Sequence, residues 1–466
     1  MFSFPDASRN LGLTLQLSKP SRFATGACID SRTLIKDDLF IALPGKNQDG
    51  HTYLEEVFRK GAAGAVIAKS VFDSNPHRFL SHPELFHNLL LVSNPENAFR
   101  ELAFWYRDRF QVKAVGITGS VGKTTTKEFL HFLLRQKYSV VANRGNFNNH
   151  LGLPLTLFRL GPGTDFCVAE LGANHPGEIS ALTKLLKPEA GILTCVSPAH
   201  LEGFGSLEGV YRAKLELLAA LPLGAPAILP DDDPLLFERA LKLKVKPIRV
   251  GLDSSSDFRI SDVRVENFHV RFRLNQKFEF SFPGLARFLA RNAAMALAAA
   301  EALGLALKDM PPVWDTVALP AGRFQPVFLD DGVLVIDDSY NASPASFEKA
   351  LETFHSLQTS GRKILVFADM LELGTEEKRY HAELGRKIAT YGFDLALAYG
   401  PRTQVSVDAA HAAKGLIHHF LNAEEAAVWL AQNLRSGDTL LLKASRGMKV
   451  EKVLEFLREK KFTVAR

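Results

Sequence analysis

Apolar and polar positions recur along this chain in two alternating rhythms, one of strands and one of helices. In the first ninety residues LFIALPG (39–45) and AGAVIA (63–68) are short apolar runs between turn formers, which predicts strands. HTYLEEVFRKGA (51–62) repeats with helical spacing and ends at a glycine. The polar stretch SNPHRFLSHPE (74–84) marks a first boundary soon after it. From about 89 to 318 the apolar runs VKAVGIT, FCVAEL, AGILTCV and APAILP alternate with helical segments, as in a mainly parallel sheet with helices on both faces. Residues 258–282 break that rhythm with strict apolar–polar alternation and predict an antiparallel β insertion, followed by an alanine-rich helix over 286–303. From about 319 the runs VLVIDDS, KILVFADM, LALAYG and DTLLLKAS alternate with helical patterns at 376–392, 423–434 and 449–460. The expected fold is α/β with three domains: a small α/β domain at 1–88, a central mainly parallel-sheet domain at 89–318, and a doubly wound, Rossmann-like domain at 319–466. No internal repeat is present.

Composition narrows the function. The chain has 466 residues, 46% hydrophobic and 23% charged, enough to bury a substantial core. The net charge of +5 suits anionic small molecules, and the absence of a dense Lys/Arg block argues against a nucleic-acid partner. Cys28, Cys167 and Cys195 are far apart and lack CxxC spacing, which argues against a disulfide framework or zinc site and for a reducing, cytoplasmic setting. The opening MFSFPDASRN lacks the basic and apolar regions of a signal peptide. The longest apolar tract, 289–307, is interrupted by Arg291, Asn292 and Glu301, so no membrane span is expected.

The strongest local signal is VKAVGITGSVGKTTTKEFLHFLL, residues 112–134. A strand, a glycine-containing turn and an amphipathic helix aim backbone N–H groups and a helix N-terminus at a phosphate. Gly119, Ser120, Val121 and Gly122 form the turn, and Thr125 follows it into the helix. Lys123 can reach the β- and γ-phosphates, and the Thr124 hydroxyl suits Mg²⁺. The common GxxxxGK[ST] pattern is incomplete, because its first glycine would fall on Ile117. An ordinary strand–turn–helix with chance glycines is the competing reading, disfavoured by the ordered context. The loop predicts triphosphate binding and does not say what is done with the triphosphate.

TGSVGKTTTKE resembles the variant phosphate loop TGxxGKT of the Mur ligases, which make peptide bonds on UDP-muramic acid. The resemblance runs over essentially the whole chain and implies a UDP-sugar domain, a central ATPase domain and a C-terminal Rossmann-like domain. CIDSRTLIKDDLFIALPGKNQDGHTY (28–53) looks like the nucleotide-sugar segment. It implies that Ser31 and Arg32 contact the UDP-muramoyl part, with Asn47, Asp49 and His51 nearby. RGNFNNHLGLPLTL (144–157) implies that Asn148 and Asn149 approach the substrate; a turn or cap is the plainer reading. In VAELGANHPGEI (168–179) Glu170 would be a Mg²⁺ ligand at a strand end. In VSPAHLEGFGSLEGVYRAKLELL (196–218) the resemblance makes His200 the ligand of a second Mg²⁺ and Lys214 the lysine that takes up CO₂ as a carbamate. Taken alone, Lys214 reads as a solvated helix lysine and His200 as a packed or capping histidine.

LARNAAMALAAAEALG (289–304) resembles the adenine-contacting helix, with Asn292 as the contact and Arg291 where relatives often carry His. In PAGRFQPV (320–327) Arg323 matches the arginine directed at the γ-phosphate, beside a hinge expected near 315–325. DSYNASP and DMLELG, with Ala368 where relatives often have Gly, resemble the family's D-alanyl-D-alanine-adding pattern, and no DNPR-like motif of the diaminopimelate-adding pattern occurs. Asp338 would meet the ATP ribose, Tyr340 and Asn341 the incoming amine or nucleotide, and Ser445 and Arg446 of KASRGMKVEKV the dipeptide. The implied substrates are ATP with two Mg²⁺, UDP-N-acetylmuramoyl tripeptide and D-Ala-D-Ala, handled by a monomer. The rivals are another amide ligase (diaminopimelate- or lysine-adding, or folylpolyglutamate synthetase-like) and a P-loop NTPase acting as switch or motor. The DSR segment and DMLELG disfavour the former, and nothing in the chain supports the latter.

Overall fold

The structure is a computed structural model that describes residues 1–16, 22–45, 48–83, 85–413, 415 and 417–459. The chain divides into two compact units, one holding Met1–Gly116, Lys137–Gly172 and Ser180–Glu189, the other Ile117–Gln136, Ala173–Ile179 and Ala190–Arg466. The strand Lys113–Thr118 passes through the division.

The first unit contains a five-stranded sheet in the order Thr14–Gln16, Leu89–Val92, Gly64–Ala68, Asp38–Ile41, Gly26–Cys28. Only the Thr14–Gln16 pairing is antiparallel. All four positions of Asp38–Ile41 and of Leu89–Val92 are buried, as a parallel sheet covered on both faces requires. Phe40, Leu54, Val57, Phe58, Ile67, Phe79 and Phe86 form the core beneath it. The helix expected over 51–62 is a 3₁₀ turn, Gly50–Tyr53, and a shorter helix, Leu54–Arg59. The 3₁₀ turn opens because the Asp49 carboxylate accepts the His51 backbone N–H at 3.0 Å. The polar stretch at 74–84 contains a helix of its own, Pro76–Leu80, capped by Asn75 with proline in its first turn. The parallel pair Val140–Ala142 and Phe166–Glu170 belongs to the same unit.

In the second unit the strands Ala190–Leu193, Pro226–Pro230, Lys246–Gly251 and Phe258–Glu266 pair in parallel. The expected insertion at 258–282 is present as antiparallel strands Phe258–Glu266, His269–Leu274 and Phe278–Pro283, but these extend the parallel sheet rather than standing apart from it. Their two connections have φ of 49° and 61° at Asn267 and Phe268, and 51° and 58° at Asn275 and Gln276. In the first, where Glu266 opposes His269, the left-handed pair matches the twist of a two-residue hairpin; in the second, Leu274 opposes Phe278 across a longer turn. Trp314 is fully buried among Phe129, Phe280 and Phe282. The alanine-rich helix, Leu289–Ala302, packs on the helix Lys123–Arg135, where its small side chains permit a close approach.

A six-stranded sheet completes this unit in the order Gln325–Phe328, Leu334–Asp337, Thr439–Lys443, Lys363–Ala368, Leu395–Tyr399, His418–Phe420. All pairs but the first are parallel. The helices Glu377–Tyr391, Ala423–Asn433 and Glu451–Glu459 fall where the sequence pattern places them. No helix among the described residues is long and apolar enough to cross a membrane.

Close packing of the first unit makes Gly64 irreplaceable. A Cβ there would lie 2.5 Å from both the Asn88 carbonyl oxygen and the Phe4 ring. Gly64→Ala is expected to cost about 1–3 kcal/mol, read as a lower urea midpoint with an unchanged slope.

Candidate active site

The phosphate loop connects the strand Lys113–Thr118 to the helix Lys123–Arg135. Gly119 has φ +140°, and a Cβ on it would lie 2.1 Å from the Thr194 hydroxyl oxygen. Gly122 has φ +89°, and its Cβ would come within 2.9 Å of the Asn292 side-chain oxygen. Both positions need glycine on conformational and steric grounds. The loop is tied down from the next strand end. Ser120 N–H donates to the Cys195 carbonyl at 2.9 Å, Ser120 Oγ donates to the Ser197 carbonyl at 2.8 Å, and Thr194 Oγ1 donates to the Val121 carbonyl at 2.6 Å. Lys123 Nζ folds over the turn and donates to the Gly119 and Ser120 carbonyls at 2.7 and 3.2 Å. These are neutral acceptors that a phosphate oxygen outcompetes. Thr125 is buried in the first helical turn. The Cys195 thiol, pushed up by burial, stays protonated at neutral pH and is no nucleophile.

Arg323 is brought to this loop. Its Nη2 donates to Thr124 Oγ1 at 3.3 Å, and its Cζ lies 3.9 Å from the centre of the Tyr340 ring. The Arg446 guanidinium approaches the same ring at 5.3 Å, and Arg446 N–H donates to the Asn341 side-chain oxygen at 3.3 Å. Asp338 accepts the Phe324 N–H at 3.1 Å and pairs with the buried ammonium of Lys443. Lys443 also donates to the Asn341 carbonyl at 3.2 Å. Ser445 is buried and occupied within the fold, accepting the Leu371 N–H at 2.9 Å and donating to the Ala342 carbonyl at 3.3 Å.

His200 stands at the start of the helix Leu201–Phe204, and its Nδ1 is hydrogen-bonded to the Glu372 carboxylate. That bond holds the Glu372 carboxyl below the usual carboxylate range. Lys214 is not the solvated lysine that its isolated context suggests. It is 2% exposed, with its ammonium 5.4 Å from the Phe204 ring.

The remaining predicted residues lie in the first unit. Glu170 ends the buried strand Phe166–Glu170, and its carboxylate accepts Asn148 Nδ2 at 2.7 Å. The Asn149 side-chain oxygen is spent capping the next helix, accepting Leu151 and Gly152 N–H at 3.2 and 2.9 Å. Arg32 is exposed and forked onto Asp30, which it holds at a pKa of about 2, while Ser31 is buried. His51 is buried with Nδ1 on Asp49 and Nε2 accepting the Ala68 N–H at 3.0 Å, so it anchors its loop to the neighbouring strand. Asn47 lies outside the described residues.

Sequence reasoning missed Thr194, Glu372 and Lys443. Glu372 and Lys443 sit inside segments singled out as motifs, so a polar residue at the end of an apolar run was the available signal. Thr194 had none, because its role exists only through the loop it meets in space, pressing on Gly119 and donating to the Val121 carbonyl.

Loop, sheets and converging basic side chains define a phosphate-loop enzyme of mixed α/β architecture. Residues 117–300 match the Mur ligase middle domain, and residues 322–446 match the Mur ligase glutamate ligase domain. The UDP-N-acetylmuramoyl-tripeptide–D-alanyl-D-alanine ligase of Bacillus subtilis is 33% identical, with 93% of each chain covered. The enzyme of the same name from Escherichia coli is also 33% identical, over 92% of this chain and 93% of its own. Among solved structures, MurF from Acinetobacter baumannii is similar with a TM-score of 0.85 and 26% identity, covering 98% of this chain and 99% of its own. MurF from Thermotoga maritima in complex with ADP has a TM-score of 0.78 and 29% identity, covering 93% and 97%. The chain belongs to the Mur ligase family, in its branch of UDP-N-acetylmuramoyl-tripeptide–D-alanyl-D-alanine ligases.

Gly119→Ala tests the loop. The clash with Thr194 and the positive φ are expected to displace the turn and weaken ATP binding more than about tenfold, read by calorimetric titration, with the far-UV spectrum unchanged.

Proposed function

We propose that this chain joins D-alanyl-D-alanine to UDP-N-acetylmuramoyl tripeptide at the cost of one ATP, through an acyl phosphate, in peptidoglycan precursor synthesis. The observation that carries the reading is Arg323 reaching the Thr124 hydroxyl at 3.3 Å, which sets a guanidinium from the C-terminal motifs against the phosphate loop. The names of full-length relatives supply the substrates.

The chemistry follows from the poor reactivity of a carboxylate. A terminal carboxylate oxygen of the tripeptide attacks the γ-phosphorus, the bond to the β-phosphate oxygen breaks, and ADP leaves. Lys123 and Arg323 offset the repulsion between two anions and stabilise charge spreading over the transferred group. The amine of D-Ala-D-Ala then attacks the acyl carbon. The tetrahedral intermediate expels phosphate, the nitrogen loses a proton, and the amide remains. Tyr340 and Asn341 are assigned to the incoming amine or nucleotide, Arg446 and Ser445 to the dipeptide, and Asp338 to the ribose. Asn292 is assigned to adenine, Glu170 and Asn148 to metal and substrate, and Ser31 and Arg32 to the UDP-muramoyl part. For Ser445, Asn149 and Arg32, the bonds they make within the fold must be shared or exchanged on binding.

Magnesium suits the oxygen donors Thr124 and Glu170, and His200, whose imidazole is a softer donor than magnesium prefers, is assigned to a second ion by its place in the family motif. Among the described residues no group of three or more His, Cys, Asp or Glu is placed to hold a metal ion. Two bound ions would neutralise phosphate oxygens and spread the developing charge. Lys214 is assigned to the carbamate: it is buried beside Phe204, and an amine that adds to CO₂ with loss of a proton gives an anionic carbamate. We further assign a cytoplasmic monomer, with domain limits at 88 and 318.

Phosphate release from ATP with UDP-N-acetylmuramoyl tripeptide, with and without D-Ala-D-Ala, tests the reaction. Release should depend on the dipeptide, and equal release with any amino acid would overturn the assigned acceptor. Lys123→Ala should lower kcat at least about 10³-fold. Lys214→Ala should lose ligation and recover part of it with a small added carboxylate; full activity without that addition would exclude the carbamate.

A further inference from the structure

We propose that Glu372 is a positioning residue for this ligase, fixing the ring of His200 from a turn 172 residues further along the chain. The inference rests on the reading of His200 as a site residue. Three observations meet at one point. The Glu372 carboxylate is bonded to His200 Nδ1. The Glu202 backbone N–H donates to the Glu372 carbonyl at 3.2 Å. A Cβ on Gly374 would touch the Glu202 backbone at 3.6 Å, so the two turns are packed flush.

Both bonded residues are held in unusual backbone conformations, with φ of 52° at His200 and 64° at Glu372. Non-glycine residues adopt that region rarely, and here two of them face each other across one hydrogen bond. Tyr380, on the helix following the Glu372 turn, packs into the cluster of Leu201, Phe204, Val210 and Ala213 beside His200. The turn at 372–374 is thus seated on residues 200–204 by a side chain, a backbone bond and an apolar contact.

The chemical effect is on the imidazole. A carboxylate accepting from Nδ1–H fixes the tautomer, so the lone pair resides on Nε2, and it also fixes the ring plane. Among the described residues no other hydrogen bond to the His200 ring is found, so Glu372 is the polar group that orients it, beside an edge-on contact with the Phe204 ring. The polar partner comes from the DMLELG segment, and the ring it steers comes from the segment at 196–218. His200 is therefore set for its task only when the C-terminal turn is seated.

The test compares Glu372→Ala and Glu372→Gln with the wild-type chain. Glu372→Ala should lower kcat about 10–100-fold while the KM for ATP changes less than about threefold. Glu372→Gln should recover most of that loss, because its amide oxygen can still accept from Nδ1–H. Independently of turnover, ¹⁵N-histidine spectra of the nucleotide-free protein should show the His200 signal as the Nδ1–H tautomer in wild type and as a mixture in Glu372→Ala. An unchanged tautomer, a kcat within twofold of wild type, or a loss that merely follows a lowered Tm would overturn the proposal. If wild type released no phosphate on addition of D-Ala-D-Ala, the ligase reading would fall. The tautomer comparison would still decide whether Glu372 sets His200.

Discussion

One guanidinium links the motifs of this chain. Arg323 lies against the face of Tyr340 and reaches the hydroxyl of Thr124. Its backbone is clamped on both sides by the segment that carries the ring. Tyr340 N–H donates to the Gly322 carbonyl at 3.1 Å, and Phe324 N–H donates to Asp338 at 3.1 Å. Gly322 and Phe324 both have positive φ, so the chain turns sharply on either side of the arginine and presents the side chain outward from a rigid corner. A cation–π contact contributes about 0.5–2 kcal/mol and a hydrogen bond from a charged donor about 1.5–3 kcal/mol. Such an arrangement is firm enough to preset the side chain. It is also weak enough for a phosphate oxygen, a charged acceptor, to displace the neutral hydroxyl as partner without disturbing the aromatic stack.

The same corner depends on charges buried at the ends of parallel strands. Parallel register pairs Asp337 with Leu442, and Phe367 with Lys443. In that register Asp338 stands level with Lys443 just past its strand end, and Asp369 follows two residues after Phe367 at the same C-terminal end of the six-stranded sheet. Lys443 spans the first two strands through Asp338 and the Asn341 carbonyl. Asp369 is fully buried and accepts the Arg402 and Thr403 N–H groups at 3.0 and 2.9 Å. Burial raises its carboxyl, and these donors and Arg402 oppose the rise. His381 completes the set, accepting the Met370 N–H at 3.1 Å through Nε2 while Nδ1 meets the Glu377 carbonyl. Removing one member of a buried pair costs about 3–5 kcal/mol, so these groups act as rigid pegs rather than mobile catalysts. The open, exchangeable cations are the ones left nearer the loop.

Much of this was legible from pattern alone, because parallel strands covered on two faces must be apolar runs and amphipathic helices must repeat at their own period. The runs at 113–118, 166–170, 190–193, 334–337, 363–368 and 439–443 are strands for that reason. Short elements at edges escaped, because they bury one face or none. His418–Phe420, Gln325–Phe328 and the helix Pro76–Leu80 are of this kind. Site residues divide the same way. Gly119, Gly122, Lys123 and Thr124 announce themselves by local spacing. Lys214 reads locally as a surface lysine and proves buried, with its ammonium against the ring of Phe204 from the preceding helix, Leu201–Phe204. Asn149 and Ser445 carry the residue types of a binding motif, yet their polar atoms are committed to the fold. Pairings such as His200–Glu372 and Asp338–Lys443 span more than a hundred residues and have no local signature at all.

The departure of the phosphate loop from its common form now has a physical account. Ile117 stands where a first glycine is usual, and it is fully buried within the strand Lys113–Thr118. At that position a side chain adds to the core and blocks nothing. The need for a missing Cβ has moved to Gly119, where the backbone turns at φ +140° against the hydroxyl of Thr194. A second such need arises at Gly122, against the carboxamide of Asn292 on the alanine-rich helix. Each glycine is therefore fixed by a particular neighbour, and each neighbour is held by a buried strand end or a buried helix. The loop's N–H groups are set by the surrounding packing before any nucleotide arrives, and donors fixed in advance stabilise developing charge without reorganising. The spacing of the glycines in this loop is thus a record of which side chains press on it.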